Sequence, residues 1–184
     1  MNSRVGQINP MNNGPTAAAY RLHVELSDSD PPIWRQVWVS GAVSLDELHR
    51  VLVAAMGWSG QEDYVVKGQG RALGVGEARS LATLLLQPGD TLLYNYAPAL
   101  GWLHKITLET IDPSDSSLPY CTAGERRCPP EFCQGVWDYF ELLERLEDSS
   151  EPDIDALWQR IGYDFDPEAF DLAATNQRMQ GLAV

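Results

Sequence analysis

Positive charge is scarce in this chain. Lys and Arg total 13 against 26 Asp and Glu, a formal net charge of −13 over 184 residues. That balance repels phosphate backbones and argues against broad, sequence-independent binding to nucleic acid. Long apolar runs are missing too. The longest, "LATLLL" at residues 81–86, contains Thr83 and is far shorter than the roughly 20 residues that span a bilayer. The stretch "MNSRVGQINPMNNGPTAAA" has no basic cluster leading into an apolar segment, so neither a secretory leader nor a membrane association is expected, and the cytoplasm is the expected location. Cysteine is sparse and odd in number, three residues, which excludes a disulfide framework.

Familiar catalytic signatures are absent as well. "GWSGQ" is not G-x-S-x-G, so it makes no nucleophile elbow. The glycines of "KGQGRALGVGE" miss G-x-G-x-x-G and its strand-to-helix setting, and read as turn material. "DFDPEAFD" lacks the central glycine and twelfth-position glutamate of a calcium loop, and its acids suit a helix start.

What is present is a patterned core, with 44% hydrophobic residues. "AYRLHVEL" alternates: Tyr20, Leu22, Val24 and Leu26 face one way, Arg21, His23 and Glu25 the other, as in a half-buried strand. "IWRQVWVS" predicts a second strand with Ile33, Val37 and Val39 on one face and Trp34 and Trp38 on the other, central or partly covered on both sides. "VSLDELHRVLVAAMGW" predicts a helix. Ser44 caps it, Glu47 completes a capping box, and Leu45, Leu48, Val51, Leu52, Ala55 and Met56 form one stripe before Gly57 ends it. A strand follows near Tyr64–Lys67, then a glycine-rich turn region and a short helix or turn at "SLATLLL". "TLLYNY" and "WLHKITLE" predict two further strands, with Trp102, His104, Ile106 and Leu108 sharing a face.

The segment "CTAGERRCPPEFCQG" reads as an irregular loop. "GVWDYFELLERLED" predicts a helix on Val136, Phe140, Leu143 and Leu146, and a short helix runs through Leu157–Ile161. In the last helix, Asp166 stands as cap and Pro167 as first residue. These elements predict an α+β fold, a mostly antiparallel (mixed) sheet of about five strands in ββαβββ order, packed against one helix, with additional C-terminal helices. Residues 1–18 read as a flexible tail and 19–180 as a single domain: 19–112 carry the sheet and helix, 113–134 a Cys- and Pro-rich loop, and 135–180 the C-terminal helices.

Four stretches resemble the plasmid pRiA4b ORF-3-like family: "PPIWRQVWVSGAVSLDELHRVLVAAMGW", "GDTLLYNYAPALGWLHKITLE", "CTAGERRCPPEFCQGVWDYFELLERL" and "DFDPEAFDLAATN". They occur in the family's order and cover roughly residues 19–178. The resemblance implies a small α+β protein associated with plasmids or mobile elements, without an assigned activity. It also marks departures. The family's histidine-rich stretch after "GW" is "SGQEDYVV" here, its two middle-motif aspartates are Ala97 and Leu100, and Phe132 and Gln134 replace an aspartate and a glycine after Glu131. Tyr94, Tyr96, Trp102 and His104 match the middle motif.

The three thiols are spaced C-x6-C-x4-C, looser than the close pairs of a zinc knuckle. They are read as apolar packers, and the alternative makes Cys121, Cys128, Cys133 and His104 zinc ligands. His104, on an apolar strand face, is read as a core histidine. Its functional reading is a general base oriented by Glu131. The six tryptophans are read as ordinary core and strand packing, and the alternative has some of them lining a groove or interface, because all six cannot fill one core from one side. The expected function is a non-catalytic binding module with no cofactor. It would engage a protein partner through an acid-rimmed aromatic groove of Tyr94, Tyr96, Trp102, His104 and Glu131. The alternative is a metal-dependent hydrolase acting on nucleic acid or nucleotides, with His104 and Glu131 as the catalytic candidates and zinc as cofactor.

Overall fold

The computed structural model describes residues 18–182 apart from 69, 75, 77–78, 114–116 and 149. Most of the tail predicted for residues 1–18 lies outside the described residues. In chain order the elements are β1 (Ala19–Leu26), β2 (Trp34–Ser40), α1 (Leu45–Met56), β3 (Tyr64–Gly68), β4 (Arg71–Gly74), a 3-10 turn (Leu81–Thr83), β5 (Thr91–Tyr96), β6 (Trp102–Asp112), β7 (Tyr120–Glu125), α2 (Val136–Glu147), α3 (Ile154–Ile161) and α4 (Leu172–Met179). Among the described residues seven strands form one sheet in the order β4-β3-β5-β6-β1-β2-β7, every neighbouring pair antiparallel.

The α+β class is as expected, but the strand count and order are not. β4 lies in the stretch read as glycine-rich turns, and β7 lies inside the Cys- and Pro-rich segment read as loop. Both are edge strands with a single partner each, so neither needs the double-sided apolar pattern by which a central strand is recognised. The alternation of β1 holds from Tyr20 onward: Tyr20, Leu22, Val24 and Leu26 are buried, and Arg21, His23 and Glu25 between them are half-exposed. β2 turns Arg35, Val37 and Val39 inward and leaves Trp34 and Trp38 on the half-exposed outer face. There Trp34 stacks on His23 of β1, ring centroids 5.1 Å apart.

α1 covers the inner face with the six residues of its predicted stripe, all buried. Ser44 Oγ accepts from the Glu47 amide at 3.2 Å, and the Glu47 carboxylate accepts from the Ser44 amide at 2.7 Å. These bonds to Ser44 hold the Glu47 carboxyl below its ordinary pKa. Gly57, at φ 82°, takes the left-handed cap conformation open to glycine. Ser44→Ala is expected to cost about 1 kcal/mol through loss of the N-terminal cap. Urea unfolding measures it, and an unchanged midpoint would contradict the assignment.

The last helix differs from expectation. α4 begins at Leu172 with Asp171 as its cap, the Asp171 carboxylate accepting from the Ala174 amide at 2.9 Å. The Asp166–Pro167 stretch forms a turn instead, because the Pro167 carbonyl is taken by the Arg127 amide at 3.0 Å. α4 packs beside α1 and β7, and its Asn176 side chain exchanges two hydrogen bonds with the backbone of Cys121. α2 buries Val136, Tyr139 and Leu142, one step around from the predicted stripe, which leaves Phe140, Leu143 and Leu146 only half-buried.

Candidate interaction site

The antiparallel register of β5 and β6 sets Tyr94 opposite His104 and Tyr96 opposite Trp102, so these four side chains share the inner face of the sheet. All four are buried and closed over by neighbours, and they line no open groove. Trp58, just past the end of α1, is stacked on Tyr96 at 5.0 Å and meets His104 edge-on at 5.3 Å. Its indole N–H donates to the Pro129 carbonyl at 2.9 Å. His49 of α1 lies flat on Tyr64 at 4.5 Å, and its Nδ1 is hydrogen-bonded to the Tyr94 hydroxyl at 2.8 Å. The Tyr64 hydroxyl donates to Asp46. Burial pushes the Tyr94 and Tyr96 phenols up from their ordinary values, so both remain protonated donors at neutral pH.

Glu131 is the member of the predicted set that reaches the surface. It accepts from the Tyr96 hydroxyl at 2.7 Å, from the Ser59 amide at 2.8 Å and from the Ser59 hydroxyl at 3.0 Å. Its carboxylate thereby ties the loop after α1 to the loop before α2. It does not orient His104, whose Nδ1–H donates to the Trp102 carbonyl at 3.0 Å. Tyr96 is the group Glu131 holds instead, so His104 and Glu131 form no acid–base pair in this structure. Burial lowers the His104 pKa to about 4, which keeps its ring neutral at physiological pH.

The cysteines are separated by their own contacts. Cys121 sits in β7 with its sulfur 3.2 Å from the Ala123 carbonyl. Cys128 lies 3.1 Å from the Met56 sulfur and accepts from Arg35 at 3.1 Å. Cys133 is buried before α2, and desolvation raises its thiol to about 12. All three are free thiols, and among the described residues no three His, Cys, Asp or Glu side chains gather as metal ligands. The four residues of the zinc alternative are therefore not brought together here.

An exposed tryptophan lies elsewhere. On α2, Trp137 is 75% exposed and meets Phe140 edge-on at 6.2 Å. Together with Leu143 they floor an open groove of about 660 Å³. Asp30, from the β1–β2 connection, and Glu141, Glu144 and Glu147 rim it, and no Lys or Arg lines it among the described residues. The helical spacing explains the arrangement. Positions 137, 140, 141 and 144 fall on one side of α2, while Val136, Tyr139 and Leu142 face the core. Sequence reasoning counted Trp137 among six tryptophans and did not single it out. Its place one residue off the buried stripe is the signal that separates it.

The family model for plasmid pRiA4b ORF-3-like protein matches residues 18–174, and the chain belongs to that family. It is similar to "Uncharacterized protein y4hQ" of Sinorhizobium fredii (strain NBRC 101917 / NGR234), 29% identical over 181 residues, covering 91% of this chain and 93% of that one. In three dimensions it is similar to a crystal structure of the protein of unknown function MM3350 from Methanosarcina mazei Go1. There the TM-score is 0.77 at 29% identity, with 86% of this chain and 98% of the other covered. No helix among the described residues is long and apolar enough to cross a membrane.

Proposed function

We propose that this member of the plasmid pRiA4b ORF-3-like family is a non-catalytic interaction module that docks a basic protein segment on the outer face of α2. The observation that carries the reading is Trp137, three-quarters exposed beside Phe140 and Leu143 inside a rim of four carboxylates. A large aromatic side chain held in water at the centre of an apolar groove is the kind of residue that dominates binding energy when a partner covers it. The rim chooses the partner. Asp30, Glu141, Glu144 and Glu147 repel acidic surfaces and nucleic acid and attract Lys and Arg. The indole face also accepts a guanidinium. A segment that alternates basic and apolar side chains satisfies both halves of the surface.

Peptide display against the purified chain tests this. The expected selection enriches sequences with Arg or Lys beside Leu, Phe or Trp, and their affinity falls as salt rises. Trp137→Ala is expected to weaken the selected peptides about tenfold or more. Its melting temperature stays unchanged, because Trp137 contributes little to the core. A selection with no basic preference, or unchanged binding by Trp137→Ala, would remove the basis of the proposal.

A further inference from the structure

We infer that a second site, independent of the α2 groove, receives a small organic monocarboxylate in an arginine-lined cavity between the end of α1, the 127–131 loop and the start of α4. The cavity measures about 380 Å³, within the range of small-molecule sites. Arg35, Arg127 and Arg178 line it, a local reversal of sign in a chain of net charge −13. Among the described residues none of the three has an ion-pair partner within 4.0 Å. Neutral acceptors hold them instead. Arg178 donates from Nε to the Ala54 carbonyl at 2.9 Å and from Nη2 to the Thr175 hydroxyl at 3.0 Å. Arg127 donates from Nη1 to the Asp164 carbonyl at 3.1 Å.

These contacts fix where the guanidiniums sit without pairing any of them to a carboxylate within 4.0 Å among the described residues. They also leave donors over. Arg127 uses one of its five N–H groups and Arg178 two among the described residues, whereas Arg35 spends all of its nitrogens on the fold and contributes charge alone. A carboxylate bound in this cavity has unused N–H donors of Arg127 and Arg178 among its wall residues, and hydrogen bonds from a guanidinium to a carboxylate are among the strong, charge-assisted kind.

Two features narrow the ligand. Glu131 and Asp171 also line the cavity, so three positive and two negative groups leave one net positive charge, which matches a monoanion better than a phosphate dianion. Aromatic surface supplies the rest of the wall. The Phe165 ring lies under Arg127 at 4.9 Å and the Phe170 ring under Arg35 at 4.5 Å. Trp58 also borders the cavity, with its indole N–H already committed to Pro129. A carboxylate head on an aromatic or apolar body fits this combination.

Calorimetric titration of the full chain with phenylacetate, phenylacetamide and phenyl phosphate is the test. Phenylacetate is expected to bind, with the neutral amide at least tenfold weaker and the phosphate weaker than the carboxylate. Arg178→Gln and Arg127→Gln are each expected to weaken phenylacetate about tenfold or more while retaining cooperative unfolding. Should Arg178→Gln fail to fold, Arg127→Gln decides, since among the described residues the Arg127 side chain holds the fold only through a surface hydrogen bond to the Asp164 carbonyl and the face of Phe165. Amide binding equal to the acid, phosphate binding as tight or tighter, no heat with any of the three, or full affinity in Arg127→Gln would each overturn the inference.

Discussion

Arg35→Ala is expected to destabilise the fold by about 3–5 kcal/mol, since several buried carbonyls lose their donor at roughly 1–3 kcal/mol each and a void opens where the side chain packed. Arg35 is 3% exposed and sits on the inner face of β2 between apolar neighbours. Its Nε donates to the Ala55 carbonyl at 3.2 Å, Nη1 to Trp34 and Glu125 carbonyls at 2.6 and 2.8 Å, and Nη2 to the Arg126 carbonyl at 2.8 Å and the Cys128 sulfur at 3.1 Å. One side chain thus joins β2, the end of β7, the last turn of α1 and the cysteine loop. Its stem is clasped as well. A Cβ on Gly124 would lie 2.9 Å from Arg35 Cδ and 2.8 Å from the Phe170 ring, so the β7 backbone approaches at a distance that only glycine allows. Alanine at 35 leaves four carbonyls without their donor and a void beneath Phe170. Arg35→Lys is expected to recover only a minor part, because an ammonium cannot present five donors in a planar fork. Against a typical total of 5–15 kcal/mol, the loss is readable as a lower urea midpoint at constant slope. A change below about 1 kcal/mol would mean that water replaces the guanidinium at those carbonyls.

Arg35 also shows how far the sequence can be read. Its face was legible only in part: the alternation puts Ile33, Val37 and Val39 on one side of the strand, and the structure adds Arg35 between them as a buried cation. What period-two alternation cannot supply is the distant carbonyls of Ala55, Glu125 and Arg126, 20 to 91 positions away, that make the burial tolerable. The same division runs through the chain. β1 and α1 were readable because local signals and tertiary packing agree there. β7 was not, because "YCTAGE" has no clear alternation and gains its strand geometry by pairing with β2. At the last helix two cap signals compete, Asp166–Pro167 and Asp171, and the choice follows from contacts to Arg127 that lie outside the local window. The shared face of Tyr94, Tyr96, Trp102 and His104 was legible from period two. Their closure was not, since it depends on Trp58 and α1 folding over them.

Neutral His104 makes stability depend on acid. The ring is fully buried, Nδ1–H donates to the Trp102 carbonyl, and Nε2 has no hydrogen-bond partner among the described residues. Protonating Nε2 would place a charge among Trp58, Tyr94 and Trp102. Its pKa therefore falls from the ordinary 6.5 to about 4. For a base held neutral, the unfolded chain takes up the proton first, so unfolding consumes a proton between these two values and stability rises with pH across that window. The contribution is fully present above pH 6.5 and is lost as pH falls toward 4, amounting to about 3 kcal/mol at 1.36 kcal/mol per pKa unit.

Carboxylates with lowered pKa values, such as Glu47, lose their own contribution with the same sign, but only from the bottom of that range downward. Between pH 7 and pH 5, above most of the carboxylate titration, the dependence comes chiefly from His104 and from His49, whose pKa burial also lowers, so His104→Gln is compared with the parent chain there, where the His49 contribution is common to both. The variant starts less stable at pH 7, because an amide fits the aromatic enclosure less well. Its stability is then expected to fall less steeply than the parent's over that interval, by up to one proton in the slope. Parallel pH profiles would show that His104 is solvated, or charged, within the fold, and that the aromatic enclosure opens in solution.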